Sequence, residues 1–445
     1  MDSSPNVHVG ILKAKRIEFR LSGKFEISGK SANCFGSCIA EFSNGGIQIH
    51  NDDKKMNFSR EVIFLPCNIS SDYFEINDVV IGIDFHWEQQ ETQRFRGALK
   101  LFLTGDEIQV INIIPIENYL ISVISSEMSA ESSLELLKAH AIISRSWLMA
   151  QIREDDKKIV AAKSKTIASD KEFIHWYDRE DHRDFHVCAD DHCQRYQGIS
   201  RATNPRVIEA VTETHGRVLT YEGEICDTRY SKACGGKSES FESCWEEIEH
   251  PYLVPVIDSE DDTVNPGDLR NEKSVKKFIN DPPPAFCDTK DSKILQQVLN
   301  EYDLSEKDYY RWEVSYGQKE LSELISGRSG IDFGRIRDIV PLERGHSGRL
   351  IKLKISGEKK EKIIGKELVI RRWLSESHLK SSAFIIEKDG EIEGFPERFI
   401  LKGAGWGHGV GLCQIGAAVM GEKGYTYQEI LKHYYQNAEI TKLYS

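Results

Sequence analysis

The sequence predicts an α+β fold: a β-rich mixed core with a long central helix and an inserted helical subdomain. Three observations predict it. Short β-branched or aromatic runs, separated by Gly, Asn and Asp, fill residues 1–115 and return after 205. One long helical pattern lies between them, over 130–153. From about 258 to 335 the composition shifts to short helical patterns around the breaker Pro282–Pro284. A chain of 445 residues suits two or three domains, or one core with large insertions, and its 40% hydrophobic content can fill a sizeable core. The reading divides it into an N-terminal β-rich region (1–90), a core (91–257 and 336–445) and an inserted helical subdomain or lid (258–335).

In chain order, "IQIHN", "REVIFLP", "DVVIGIDFHW" and "GALKLFL" read as strands, and "DEIQVINIIPIENYL" adds one more before Pro115. The long helix opens with Ser132 as its N-cap and Glu135 as the reciprocal partner of a capping box. Leu134, Leu137, Ala141, Leu148 and Ile152 keep helical spacing, and Arg145 falls on the same stripe. A buried arginine needs an acid, because an unpaired buried charge is very costly. The nearest unexplained acid upstream is Glu127; the alternative is an Arg145 whose stem runs along the surface to water. Residues 156–200 are polar and irregular. "RVIEAVTET", "GRVLTYEGEICDTRYSKACGG" and "HPYLVPVID" read as strands. "DSKILQQVLNEY" and "QKELSELIS" read as helices of the insertion. "GRIRDIVPLER" and "GRLIKLKISG" are strands again, and "TYQEILKHYY" is a terminal helix.

The net charge of −13 repels phosphate and argues against a nucleic-acid partner; a neutral polysaccharide is compatible with it. No apolar run reaches the roughly 18 residues of a membrane span. The first residues show no basic segment followed by an apolar one, so no signal peptide is visible. Ten cysteines are sparse for this length and read mostly as reduced thiols, with Cys34 and Cys38 a possible metal or redox pair.

Four stretches have the residue types for chemistry. "HRDFHVCADDHCQRYQG" holds His182, Cys188, His192 and Cys193, an N/S donor set of the kind zinc takes tetrahedrally, with His175 and His186 as spares. A Cys188–Cys193 disulfide and a ligand-free polar loop are the alternatives. "GWGHGVGLCQIGA" surrounds His408 with glycines and then starts a helix, so its backbone can approach a ligand closely; a tight turn around a core histidine explains it as well. "YSKACGGKSES" places Gly235 and Gly236 at a strand-end turn beside Cys234, a nucleophile or a buried structural thiol. Glu127 lies between a hydrophobic segment and a helix, a setting suited to general-acid work.

Taken together and in this order, these stretches resemble the stage II sporulation protein D (SpoIID/LytB) family. "FRGALKLFL…INIIPIENYLISVISSEMS" resembles its opening signature, "ELLKAHAIISRSW" its long helix, and "VCADDHCQRYQG" its Cys…Cys-Gln-x-Tyr-x-Gly element. "GWGHGVGLCQIGA" resembles its closing motif, the most specific of the set. The likeness spans about 90–260 and 335–445. It implies a peptidoglycan lytic transglycosylase acting on glycan strands stripped of stem peptides, with Glu127 as the catalytic acid/base. It implies zinc held by His182, Cys188, His192 and Cys193, shaping the cleft rather than activating water. Arg145, Gln194, Tyr196, Cys234, Gly235, Gly236, His408 and Gln414 are the expected substrate-binding residues. The substrate implies the cell envelope, and an amidase is a second expected partner. A hydrolytic muramidase and a non-catalytic, glycan-binding amidase enhancer are the rival functions. The chain departs from the family at Cys234, where Ser is usual before Gly-Gly, at His140, where Gln is usual, and at Cys413, where Ser is usual before Gln.

Overall fold

The computed structural model describes residues 4–30, 33–51, 54–81, 89–129, 131–157 (backbone alone for 153–157), 166–176, 182, 184–190, 193–200, 204–299, 303 and 308–445. The class is α+β, as expected: several sheets and, among the described residues, ten α-helices.

The N-terminal strands alternate buried and exposed residues, as in Arg16–Ile27, because one face of the sheet meets the core and the other water. The strands from Asn6–Ala14 to Glu107–Pro115 form one sheet, which crosses the expected boundary at residue 90 without a break. Its last member is Val187–Cys188, laid parallel to Asn6–Ala14. The first strand of the chain is therefore the dock for the loop with the Cys/His cluster.

Directly after Pro115 comes α1 (Ile116–Glu127), which the sequence reading ran together with the strand before it. Pro115 explains the switch, since its missing N–H costs a helix start nothing. The next helix, α2 (Leu134–Lys157), is the expected long one. Its cap is Ser133, whose Oγ accepts from the Leu136 N–H, not Ser132, which is buried and donates to the Gln297 carbonyl. Glu135 binds Lys138 and the Tyr427 N–H instead of closing a capping box. "RVIEAVTET" is α3 (Pro205–Glu213), not a strand. Asn204 caps it and Pro205 opens it, signals that outweigh its β-branched residues.

Further helices are α4 (Phe241–Cys244), α5 (Glu272–Asn280), α6 (Ser292–Val298), α7 (Gln318–Ser329), α8 (Glu367–Trp373), α9 (Gln414–Glu422) and α10 (Tyr427–Tyr434). The main hydrophobic core lies between the large sheet and the group α1, α2, α9 and α10. A second core is built on the sheet Ile336–Arg344, Leu350–Gly357, Glu361–Gly365 with α7 and α8. Residues 258–335 carry three helices, and Leu269, Val275, Phe278 and Ile279 form a small third core that Ala383, Ile385 and Ala404 complete from outside the segment. Phe286, Cys287, Val298 and Tyr310 enter the main core, and Trp312, Leu321 and Ile325 enter the second. The segment therefore contributes to both large cores as well as to its own small cluster.

Candidate active site

The α1 helix carries two acids with different surroundings. Glu117 is buried and meets Arg145 of α2 in a two-pronged pair, Nε to Oε1 at 3.0 Å and Nη2 to Oε2 at 2.6 Å. Tyr444 Oη and the Gly216 N–H also donate to Glu117. The partner of Arg145 is thus Glu117, not Glu127. Its third prong reaches the Arg217 carbonyl, which ties α1 and α2 to the strand Arg217–Tyr221. Satisfying both ions with fitted hydrogen bonds is what makes such a buried pair tolerable.

Glu127 ends α1 and is half-buried. Among the described residues it makes no hydrogen bond or ion pair. Just beyond it, the Ser129 N–H donates to the Gln297 carbonyl, and Gln297 Nε2 donates to Glu422 of α9. Lys232 Nζ donates to the next carbonyl, that of Val298. Through this segment the end of α1 is connected to the "YSKACGG" loop and to α9.

That loop and the glycine-rich stretch are one structure. Tyr230–Ser231 pairs parallel with Leu412–Cys413, and Ala233 and Trp406 exchange backbone hydrogen bonds. Gly411 has φ 72°, and a Cβ there would lie 2.0 Å from the Arg229 carbonyl, so only glycine lets the strands approach. His408 is half-buried, edge-on to Trp245. Its Nδ1 accepts from the Val410 N–H at 3.0 Å, which leaves Nε2 as the donor of a neutral ring. Desolvation, with Arg229 and Arg349 nearby, holds the ring well below the usual histidine range. Gln414 is buried, and its Nε2 meets Nε2 of His140 at 3.1 Å.

The 182–196 loop brings His182, Cys188 and Cys193 together, with ligand atoms within 4.8 Å of one another. His192 lies outside the described residues. Beside the cluster, Val187 and Cys188 pair with Val9 and Gly10, and a Cβ on Gly10 would strike the Phe185 ring.

Three expected cleft residues are interior instead. Arg145 is the core ion pair just described. Gln194 accepts from Tyr119 Oη and donates to the Ser144 carbonyl; Tyr196 stacks on Tyr119 and donates to Asn112 at 2.6 Å. Both are almost fully enclosed, so they fasten the loop to α2 and the sheet and do not face a ligand. Cys234, Gly235, Gly236 and Gln414 are buried too, forming the inner layer of the loop pair that presents His408.

Residues 104–221 match the family model described as "Stage II sporulation protein". Over that stretch the chain is similar to the stage II sporulation protein family. The matched stretch runs from the strand Glu107–Pro115 through α1, α2, the His182–Cys188–Cys193 cluster and α3. A second match, to a domain of unknown function (DUF8618), covers 239–411 and crosses both edges of the expected insertion. The chain is 24% identical over 335 residues to stage II sporulation protein D of Bacillus subtilis (strain 168), covering 75% of this chain and 76% of that one. It is 25% identical to stage II sporulation protein D of Bacillus amyloliquefaciens, over 74% and 75% of the two chains. It is also 26% identical to the amidase enhancer of Bacillus subtilis (strain 168), over 72% of this chain and 40% of that one.

Sequence reasoning missed Glu117, Glu239 and Arg349. Glu239 is fully buried and accepts from the backbone of Ser240, His346 and Ser347 and from the hydroxyls of Ser240, Ser243 and Ser347. Arg349 is equally buried and donates to the Cys234 and Gly407 carbonyls, clamping the two glycine-bearing loops together. A lone charge in a loop carries no periodic signal. Glu117 did offer one: it lies in the first turn of α1, visible once "IENYLISVIS" is read as a helix.

Proposed function

We propose that this protein acts on the cell wall as a lytic transglycosylase, with Glu127 as its single acid/base. The observation that carries the reading is the contrast within α1. Glu117 is consumed by Arg145, Tyr444 and Gly216, whereas Glu127 is half-buried with no partner among the described residues, at a position fixed by the helix. The likeness to stage II sporulation protein D and to an amidase enhancer supports a cell-wall substrate.

A transglycosylase needs one carboxyl group where ordinary glycosidases use two. Glu127 as the acid gives its proton to the glycosidic oxygen between N-acetylmuramic acid and N-acetylglucosamine, and that bond breaks. As the carboxylate it takes the proton of the muramic 6-hydroxyl, whose oxygen bonds to the anomeric carbon. The product ends in a 1,6-anhydro ring, no water is consumed, and Glu127 is regenerated. The neutral Nε2–H of His408 suits donation to a sugar hydroxyl or carbonyl.

The donors His182, Cys188 and Cys193 fit zinc: three soft or borderline ligand atoms converge, with Cys193 Sγ and His182 Nε2 3.5 Å apart. Bound there, zinc supplies a rigid anchor for the loop. His192 would complete a closed, structural set. Cys188, paired in the sheet beside Gly10, and Gln194 and Tyr196, packed on Tyr119, hold the same loop from the protein side.

The test is mass spectrometry of products from denuded glycan strands, with wild type beside Glu127→Gln. Anhydro-muramic ends that fall about 10²- to 10⁴-fold in the variant are expected. Reducing ends would mean a hydrolase. Strands that are bound but left intact by wild type would favour the amidase-enhancer reading, which the relative of that name supports.

A further inference from the structure

Cys234, Asp258, Cys287 and Cys413 converge at the centre of the main core. They come from four separate segments: the loop after Tyr230–Ser231, the end of "HPYLVPVID", the loop after Pro284, and the start of α9. All four are nearly inaccessible, at 2%, 0%, 1% and 0% exposure. Their ligand atoms lie within 4.8 Å of one another, and Cys234 Sγ and Cys287 Sγ are 3.7 Å apart. We propose that these four side chains are a second metal site, a closed Cys3Asp site for zinc, distinct from the His182–Cys188–Cys193 cluster.

Geometry and chemistry point the same way. Four ligands around zinc at a Zn–S distance of ~2.3 Å stand about 3.8 Å apart along the edges of a tetrahedron, which the 3.7 Å sulfur pair matches. Three sulfurs and one carboxylate form a donor set that zinc prefers and that calcium or magnesium does not. The surroundings orient the ligands as second partners do in metal sites. The Cys234 N–H points at Cys413 Sγ, at 3.2 Å. The Asp258 carboxylate accepts from the Cys287 N–H at 3.0 Å on one oxygen and from Tyr434 Oη at 2.6 Å on the other. No Lys or Arg pairs with Asp258 among the described residues. A bound cation compensates the burial of the carboxylate, a cost otherwise met only by keeping it protonated.

The site is continuous with the loop pair that carries His408. Cys234 precedes Gly235 and Gly236, its carbonyl is gripped by Arg349, and Cys413 precedes Gln414. With four protein ligands the metal has no open position, so it fixes the loop pair that carries His408 and takes no part in chemistry. Cys234 and Cys413 fall outside both matched family regions, and Cys287 is contributed by the segment 258–335.

Metal analysis of the full-length protein, purified from zinc-supplemented cells, tests this. Cys287→Ser is expected to lose one zinc equivalent per chain, and Cys188→Ser with Cys193→Ser to lose none of that equivalent. Unchanged metal content in Cys287→Ser would overturn the proposal. So would a disulfide linking two of Cys234, Cys287 and Cys413, found by peptide mapping of the protein denatured without reductant. Should Cys287→Ser fail to fold, cobalt loading of the Cys188→Ser/Cys193→Ser protein decides. Thiolate-to-cobalt charge-transfer absorption that survives there, and drops when Asp258→Asn is added, is expected. Its absence in the parent, or its persistence unchanged with Asp258→Asn, would overturn the site. Loss of glycan cleavage in Glu127→Gln reads out separately and does not bear on any of these results.

Discussion

Replacing Arg145 by Met leaves the Glu117 carboxylate in the core with only Tyr444 Oη and the Gly216 N–H as donors. Arg145 is fully buried, and the Glu117 side chain is 7% exposed. Water therefore cannot replace the two lost charge-assisted bonds. Removing one partner of a buried pair costs about 3–5 kcal/mol. The effect is expected in urea unfolding: at a slope of ~3 kcal/mol per M, the midpoint falls by about 1–1.7 M. Glu117→Gln combined with Arg145→Met restores most of that loss, because the orphaned charge is gone. Glycan cleavage falls together with stability in Arg145→Met, since α1 also ends in Glu127. A midpoint shift equivalent to under about 1 kcal/mol, or a double variant as unstable as the single, would refute the argument that this pair anchors α1.

Further outcomes follow from other residues. His140 is buried and hydrogen-bonded to Ser144 and Gln414, and desolvation, reinforced by Lys232, lowers its pKa to about 3. Its folded ring stays neutral while the unfolded ring takes a proton below about 6.5. Its contribution is therefore complete above that pH and is lost as pH falls toward 3, at about 1.4 kcal/mol per pH unit. His140→Gln should flatten that part of the stability profile; an unaltered slope between pH 6 and 4 would assign it to other groups. Tyr196→Phe strands the buried Asn112 oxygen and should cost about 1–3 kcal/mol with KM for glycan unchanged. A raised KM at normal stability would return Tyr196 to the cleft. Gly411→Ala imposes a left-handed backbone penalty of about 1–2 kcal/mol and a clash with the Arg229 carbonyl, so a lower melting temperature and reduced soluble yield are expected. A variant that melts like wild type would show that the two strands can part at little cost.

Local chemistry was legible in the sequence where it repeats or clusters. The N-terminal strands, α2 and the terminal helix follow from their residue patterns, although the cap of α2 is Ser133 and not Ser132. The His182–Cys188–Cys193 cluster was readable because its ligands lie within a dozen residues, so chain geometry alone keeps them close. Short apolar runs misled where helix and strand patterns coincide: "RVIEAVTET" folds as α3 because of its flanking Asn204–Pro205. "IENYLISVIS" folds as α1 because Pro115 ends the ladder before it.

Pairings between distant segments were decided only by tertiary structure. Arg145 lay on a visible apolar stripe, which demanded an acid, but two acids of one helix were available. Packing of α1 on α2 chose Glu117 and left Glu127 at the half-buried end. Likewise Gln194 and Tyr196 carry polar groups that read as ligand contacts, and only the fold shows those groups spent on Tyr119, Ser144 and Asn112. The set Cys234, Asp258, Cys287 and Cys413 spans 180 positions of the chain. Each member alone looks like an ordinary buried thiol or acid. The physical reason is the same in each case: spacing along the chain fixes neighbours within an element, whereas burial and long-range contact arise only when the cores close.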